Sequence, residues 1–201
     1  MKLILRYSEV LNASYELGDF NLMMVFQVNC PGCFMYGFPL MHYIQKQFCG
    51  KMSVMAMSTA FEDFELNTPE NTKMLISEGE FVGETLKAHQ RTPLTWQKPD
   101  FPILIDQQVS REVLTDPLFI DSIIQSREEW IDLPDDTKAE LVTSITNYFG
   151  QLSECGYTFA ANMMRGTPTF ILFNASMNVL LHWFGHYDVQ HIEEKLRTFI
   201  N

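Results

Sequence analysis

The chain has 201 residues, 46% of them hydrophobic and 19% charged, a composition that supports a sizeable packed core and excludes a disordered polypeptide. Acidic residues outnumber basic ones 25 to 14, giving a formal charge of −11, and no Lys/Arg cluster occurs, which argues against nucleic acid or an anionic membrane as partner. Apolar runs reach only about eight residues where a bilayer span needs about 20, and Arg6 interrupts the amino terminus too early for a secretory signal. The sequence reads as cytoplasmic.

Taken in chain order, residues 2–5 predict a short strand, followed by an irregular segment to Phe20. Leu22–Val28 has the length and composition of a buried strand. Asn29 ends it, and Pro31 suits the first turn of a helix that runs to about Phe48 with Phe34, Phe38, Met41, Ile44 and Phe48 on its apolar side. Lys51–Met57 then predicts a second strand, parallel to the first because the helix supplies the crossover. A helix capped by Thr68 is expected to Ser77, and a short strand over Phe101–Asp106. Two further helices are expected, about Pro117–Ile131 and Asp136–Leu152. The second shows Leu141, Val142, Ile145, Tyr148, Phe149 and Leu152 on one side, with Asp135, Asp136, Thr137 and Glu140 supplying a capping box and an acidic first turn. The chain closes with a hairpin, Phe170–Asn174 and Val179–Phe184, and a helix Val189–Ile200 capped by Asp188.

Cys30-Pro31-Gly32-Cys33 falls at the first strand-to-helix junction. Unpaired N–H groups at a helix start favour thiolate over thiol, so the first sulfur is expected to be the more acidic and exposed, and the second to be buried one turn on. That placement suits thiol–disulfide exchange. Far along the chain, Arg165-Gly166-Thr167-Pro168-Thr169 enters the strand at Phe170, and a proline two residues after a glycine at such a point predicts a cis bond in a tight turn.

Apolar strand, Cys-x-x-Cys, helix, and much later Arg-Gly-x-Pro-Thr before an apolar strand: this order resembles the thioredoxin superfamily, and the Pro-Gly pair and Gly-Thr-Pro-Thr loop are most similar to its TlpA-like and redoxin branch. The likeness covers roughly residues 20–60 and 156–201. It implies an α/β fold, a single thioredoxin-like α/β/α sandwich over residues 1–201, with a mixed central sheet and a helical insertion, about 107–155, before the cis-proline strand. It implies Cys30 as attacking thiolate, Cys33 as resolving thiol, and Thr167 and Pro168 as substrate-binding residues. It also implies a protein or small-molecule disulfide as substrate and a separate redox partner, with no cofactor. The chain departs from the family at Met24, where thioredoxins carry an Asp six residues before the first cysteine, and at Asn29, where they carry an aromatic residue. Pro39 follows Cys30 by nine residues rather than eight.

The competing reading is a non-catalytic binding module of the same fold, or a Cu(I) carrier using the two soft thiolates. A peroxiredoxin is disfavoured, since no Pro-x-x-x-Thr/Ser-x-x-Cys signature precedes Cys30. Cys49 is expected to be a small buried hydrophobe, and Cys155 is expected at a helix end just before the cis-proline strand. His182, His186 and His191 match no metal-ligand spacing, His42 is expected on the surface, and Phe61, Phe64, Phe81, Trp96 and Trp130 are assigned to core packing ahead of an apolar groove.

Overall fold

The structure, a computed structural model, describes residues 1–200. Strands β1 (Tyr7–Leu11), β2 (Phe20–Phe26), β3 (Ser53–Ser58), β4 (Ile103–Asp106), β7 (Thr169–Asn174) and β8 (Val179–Phe184) form one mixed sheet in the order β1-β4-β3-β2-β7-β8. β2, β3 and β4 run parallel, whereas β1, β7 and β8 are antiparallel to their neighbours. Two short strands, β5 (Gln108–Ser110) and β6 (Glu154–Gly156), pair separately.

β2 sits at the centre and is buried on both faces, which is why its sequence is a continuous apolar run. Leu22, Met24 and Phe26 face one layer, with Phe34, Phe38, Met41, Ile44, Leu75, Ile192 and Leu196. These come from the helical turn Cys33–Gly37, α1 (Phe38–Gln47), α2 (Pro69–Glu78) and α9 (Val189–Arg197). Met23 and Val25 face the opposite layer, with Leu114, Phe119, Ile123, Ile145, Phe149 and Phe159. That layer is built by α4 (Arg111–Leu114), α5 (Pro117–Gln125), α7 (Asp135–Phe149) and α8 (Tyr157–Ala161). The expected α/β/α sandwich with a mixed sheet is the architecture observed.

Several local expectations are corrected. Residues 2–5 make no strand; Lys2 forms only an isolated bridge to Asn178, and the edge strand lies instead at β1. The predicted helix 117–131 breaks at Ser126–Arg127 into α5 and a single turn, α6 (Glu128–Ile131), and Leu118, read as an apolar-face residue, is 81% exposed. α7 begins at Asp135 with Pro134 before it and no side-chain cap, so Asp135 and Asp136 act on the first turn by charge alone. Val142 and Tyr148 face solvent; Ile145 and Phe149 carry the burial. A further helix, α3 (Gly83–Arg91), lies in the stretch without strong periodicity. Cys49 is exposed: Phe48 takes the buried position at the end of α1, which turns the next residue outward. His42 is half-buried, its Nε2 3.1 Å from the Gln97 carbonyl and its ring against Phe101.

Candidate active site

Asn29 lies in the turn that follows β2 and is tied on three sides. Its backbone N–H donates to Asn67 Oδ1 (3.0 Å), its Nδ2 donates to Asp63 Oδ2 (2.8 Å), and its Oδ1 accepts from the Glu84 N–H (2.6 Å) at the start of α3. Gly83 makes that approach possible: its φ is +51°, and a β-carbon there would strike Asn29 Oδ1 and lie 2.7 Å from Leu66. Asn29 therefore fixes the residue before Cys30 against the loop of residues 63–67 and α3.

After Cys30 the chain turns helical at Pro31. Over Cys33–Gly37 the turn widens to π spacing, with the Phe38 N–H bonded to the Cys33 carbonyl. Pro39 explains the widening: it offers no N–H and its ring crowds the carbonyl four residues back, so the helix accommodates an extra residue before α1 proceeds. Gly37 in this turn meets Met24 from β2; a β-carbon would sit 2.7 Å from Met24 Sδ. The position where an Asp was absent is thus filled by a fully buried apolar side chain packed under the motif.

The loop Arg165–Thr169 lies against this turn. The Thr167–Pro168 peptide is cis. Pro168 Cδ is 3.9 Å from where a β-carbon on Gly32 would stand, and Pro168 Cβ is 3.5 Å from the same point on Gly37. The Cys30 thiol donates to the Thr167 carbonyl at 3.4 Å, and Thr167 Oγ1 lies 3.4 Å from Gln27 Oε1. The Gly185 N–H donates to the Pro168 carbonyl (2.9 Å), anchoring the loop to the end of β8. Cys30, Cys33, Thr167 and Pro168 are therefore brought together from sequence positions more than 130 residues apart.

The two thiols differ in kind. Both are free; Cys30 is partly exposed and Cys33 fully buried. Hydrogen bonding from the Cys33 side chain, then from the Thr167 side chain and the Cys33 and Gly32 amides, outweighs burial and lowers the Cys30 pKa from 9.0 to about 6. Burial, followed by the hydrogen bond to Cys30 and its negative charge, pushes Cys33 well above the ordinary thiol value. A thiolate next to a protonated thiol is the arrangement that attacks a disulfide and then resolves the product.

Cys155 is elsewhere. It lies on β6 opposite Val109, in the layer across the sheet from Cys33, and burial, then Asp106, raises it to about 12. Asp106, at the end of β4, went unremarked as a functional group in the sequence; it is buried and accepts from Thr59 Oγ1 (2.8 Å) and from the Thr158 (2.8 Å) and Phe159 (3.1 Å) N–H groups that begin α8. Of the five aromatic residues assigned to packing, Phe81 and Trp96 join Phe34 and Phe38 around the motif helix. Phe61 and Trp130 instead line a groove of about 990 Å³ beside the Arg165–Thr169 loop. Among the described residues no cluster of three or more His, Cys, Asp or Glu side chains is arranged to hold a metal ion, and no helix is long and apolar enough to cross a membrane.

No protein-family model matches the chain, and no curated protein does. Its fold is thioredoxin-like. A thioredoxin-like superfamily protein of known structure superposes with a TM-score of 0.60 at 22% identity, over 98% of this chain and 95% of the other. A thiol-disulfide isomerase from Corynebacterium glutamicum superposes with a TM-score of 0.56 at 20% identity, over 98% and 94%.

Proposed function

We propose that this protein is a thiol–disulfide oxidoreductase working through Cys30 and Cys33. The observation that carries the reading is the asymmetry of the pair: Cys30 is accessible and acidic, near 6, while Cys33 is buried, protonated and hydrogen-bonded to it. At neutral pH the Cys30 thiolate attacks one sulfur of a substrate disulfide. A Cys30–substrate disulfide forms, the substrate S–S bond breaks, and the departing thiolate takes up a proton. Cys33 then loses its proton and attacks Cys30 Sγ. The second substrate thiol leaves, and a Cys30–Cys33 disulfide remains. The substrate is reduced by two electrons and the protein oxidised by two; a separate dithiol partner reverses the balance, and every step can run backwards.

The loop opposite supplies alignment. Thr167 lies beside Cys30 with its backbone at the mouth of the site, so an extended substrate can pair with it as an added strand. Protein disulfides are the proposed substrates, on the strength of the exposed apolar side chains Met35 and Tyr36 on the motif helix and Phe184 over Gly166. Reduction of insulin by dithiothreitol, followed as turbidity, tests the reading. The wild type should accelerate it and Cys30→Ser should abolish the acceleration; equal rates with and without the wild-type protein would refute catalysis.

A further inference from the structure

The groove beside the Arg165–Thr169 loop has a chemistry opposite to that of the molecule. Its walls come from Arg127 just before α6 and from α6, from α7, from α8 and the turn after it, and from β7 and β8. They are chiefly apolar and aromatic, yet they include Arg127, Arg165 and His182 and no aspartate or glutamate, in a chain whose formal charge is −11. Arg127 is held flat, its guanidinium 4.6 Å from the centre of the Trp130 ring and one terminal nitrogen donating to the Asn162 carbonyl at 3.1 Å. Its Nε is buried without a hydrogen-bond partner, and its nearest carboxylate, the mostly exposed Glu129, stands 4.0 Å away. Arg165 is exposed, in no ion pair among the described residues, and only two positions from Thr167.

The groove also connects to the thiols. Phe184, on its wall, packs over Gly166, where a β-carbon would lie 2.8 Å from the ring. Gly166 adjoins Thr167, and Thr167 touches Cys30. Most of the groove lies in the layer across the sheet from Cys33, but Arg165 and Thr169, two residues to either side of Thr167, both line it, so a substrate chain that crosses Thr167 toward Arg165 runs to its rim. The volume, about 990 Å³, is at the upper end of small-ligand sites and accommodates several side chains of an extended peptide.

We infer that the groove receives the peptide segment flanking the substrate cysteine, and that it selects segments carrying apolar side chains together with a carboxylate. The apolar part replaces water on Phe61, Phe159 and Phe184; the carboxylate pairs with the Arg165 and Arg127 guanidinium groups, whose planar donors suit it. This rests on the proposed exchange at Cys30 and names its substrate class. The covalent step is the one already given: the Cys30 thiolate displaces one sulfur of the peptide's disulfide and the other leaves as a thiolate.

The test uses the full-length Cys33→Ser/Cys49→Ser protein, in which Cys30 is the accessible thiol, and synthetic peptides whose single cysteine is joined to 2-nitro-5-thiobenzoate. Attack on the peptide sulfur then releases the coloured thiolate and stops at the mixed disulfide. Matched peptides carry Leu and Phe near the cysteine and differ only in Glu, Gln or Lys a few residues away. At low salt the Glu peptide should react about tenfold faster than the Lys peptide, a gap that high salt narrows. Arg165→Glu, at an exposed position, should reverse the order, and Arg127→Gln should shrink the ratio toward one, with Arg127→Lys in between. Equal rates for the three peptides, or a ratio untouched by either variant, would overturn the inference. Binding of the same peptides with Ser for Cys, read by tryptophan fluorescence, separates the two readings. Charge-selective binding without thiol release keeps the groove and removes the exchange chemistry; thiol release from every peptide without charge selection keeps the chemistry and removes the groove.

Discussion

Cys30 Sγ stands 3.4 Å from the carbonyl oxygen of Thr167, and the side chain of the same threonine helps to hold the sulfur as a thiolate. One residue thus touches the reactive atom twice, through a carbonyl that accepts the thiol's hydrogen bond and a side chain that favours loss of its proton. The direction of the balance decides reactivity at neutral pH.

Alkylation should follow that balance. With iodoacetamide at pH 7, peptide mapping by mass spectrometry should find Cys30 labelled first, Cys49 next as an exposed thiol, and Cys33 and Cys155 protected by burial. The Cys30 rate should rise with pH to a plateau, its midpoint at about 6. A midpoint above 8, or earlier labelling of Cys33, would contradict the assignment. Thr167→Val should move the midpoint upward, because the substitution removes one of the groups that lower it.

Gly37 should resist substitution although its backbone is helical, where alanine would ordinarily gain about 1 kcal/mol. The added carbon would meet Met24 Sδ at 2.7 Å, inside a packed layer, with Pro168 at ordinary contact distance. Overpacking of this kind costs about 1–3 kcal/mol, so Gly37→Ala should lower the urea midpoint. Combining it with Met24→Ala should recover part of that loss beyond additivity, which a double-mutant cycle measures. Strict additivity would place the strain elsewhere.

Asn29→Ala removes two side-chain hydrogen bonds and leaves the Glu84 N–H without its acceptor. The expected cost is about 1–2 kcal/mol. The loss should be accompanied by faster amide exchange at residues 83–86 and by a broadened pH profile for Cys30 alkylation, since the residue before the thiol is released. Exchange unchanged at the start of α3 would show that Asn29 does not hold the two segments together.

Much of this was legible because single residues announce it. A proline and a glycine between two cysteines, next to a buried strand, mark a helix start, and the glycine-proline loop entering Phe170 marks its neighbour. Asn29 was legible only as a departure from the family, because its partners Asp63, Asn67 and Glu84 are more than 30 residues away. β1 was missed because Tyr-Ser-Glu-Val-Leu is an edge strand with mostly exposed residues, lacking the burial that gives β2 its apolar run. α3 was missed because Gly83 begins it and only Thr85 is buried on it. The groove could not be seen: Arg127, Arg165, Phe61 and His182 come from four separate segments that only the sheet and the helices across it assemble.

Asp106 gives the final prediction, in stability as a function of pH. Burial raises its pKa from 3.8 to about 6, against hydrogen bonds from the Thr158 N–H, Thr59, the Phe159 N–H and the Thr158 side chain that act the other way. The folded protein therefore binds this proton more tightly than the unfolded chain does. Its contribution is fully present below the unfolded value near 4 and is lost as pH rises through about 6. Between pH 7 and pH 4.5 the single group should favour folding by about 2 kcal/mol at the lower pH. Other carboxylates titrate in the same window, so the difference between two proteins isolates it. Urea unfolding of the wild type and of Asp106→Asn at both pH values should show the wild type gaining about 2 kcal/mol more, relative to the variant, on acidification. The variant should be less stable than wild type at pH 4.5, because its amide cannot accept from both the Thr158 and Phe159 N–H groups while retaining Thr59. If the two proteins show the same pH dependence, Asp106 is ionised in the folded state throughout the range, and the join between β4 and α8 is held by a carboxylate instead of a neutral carboxyl.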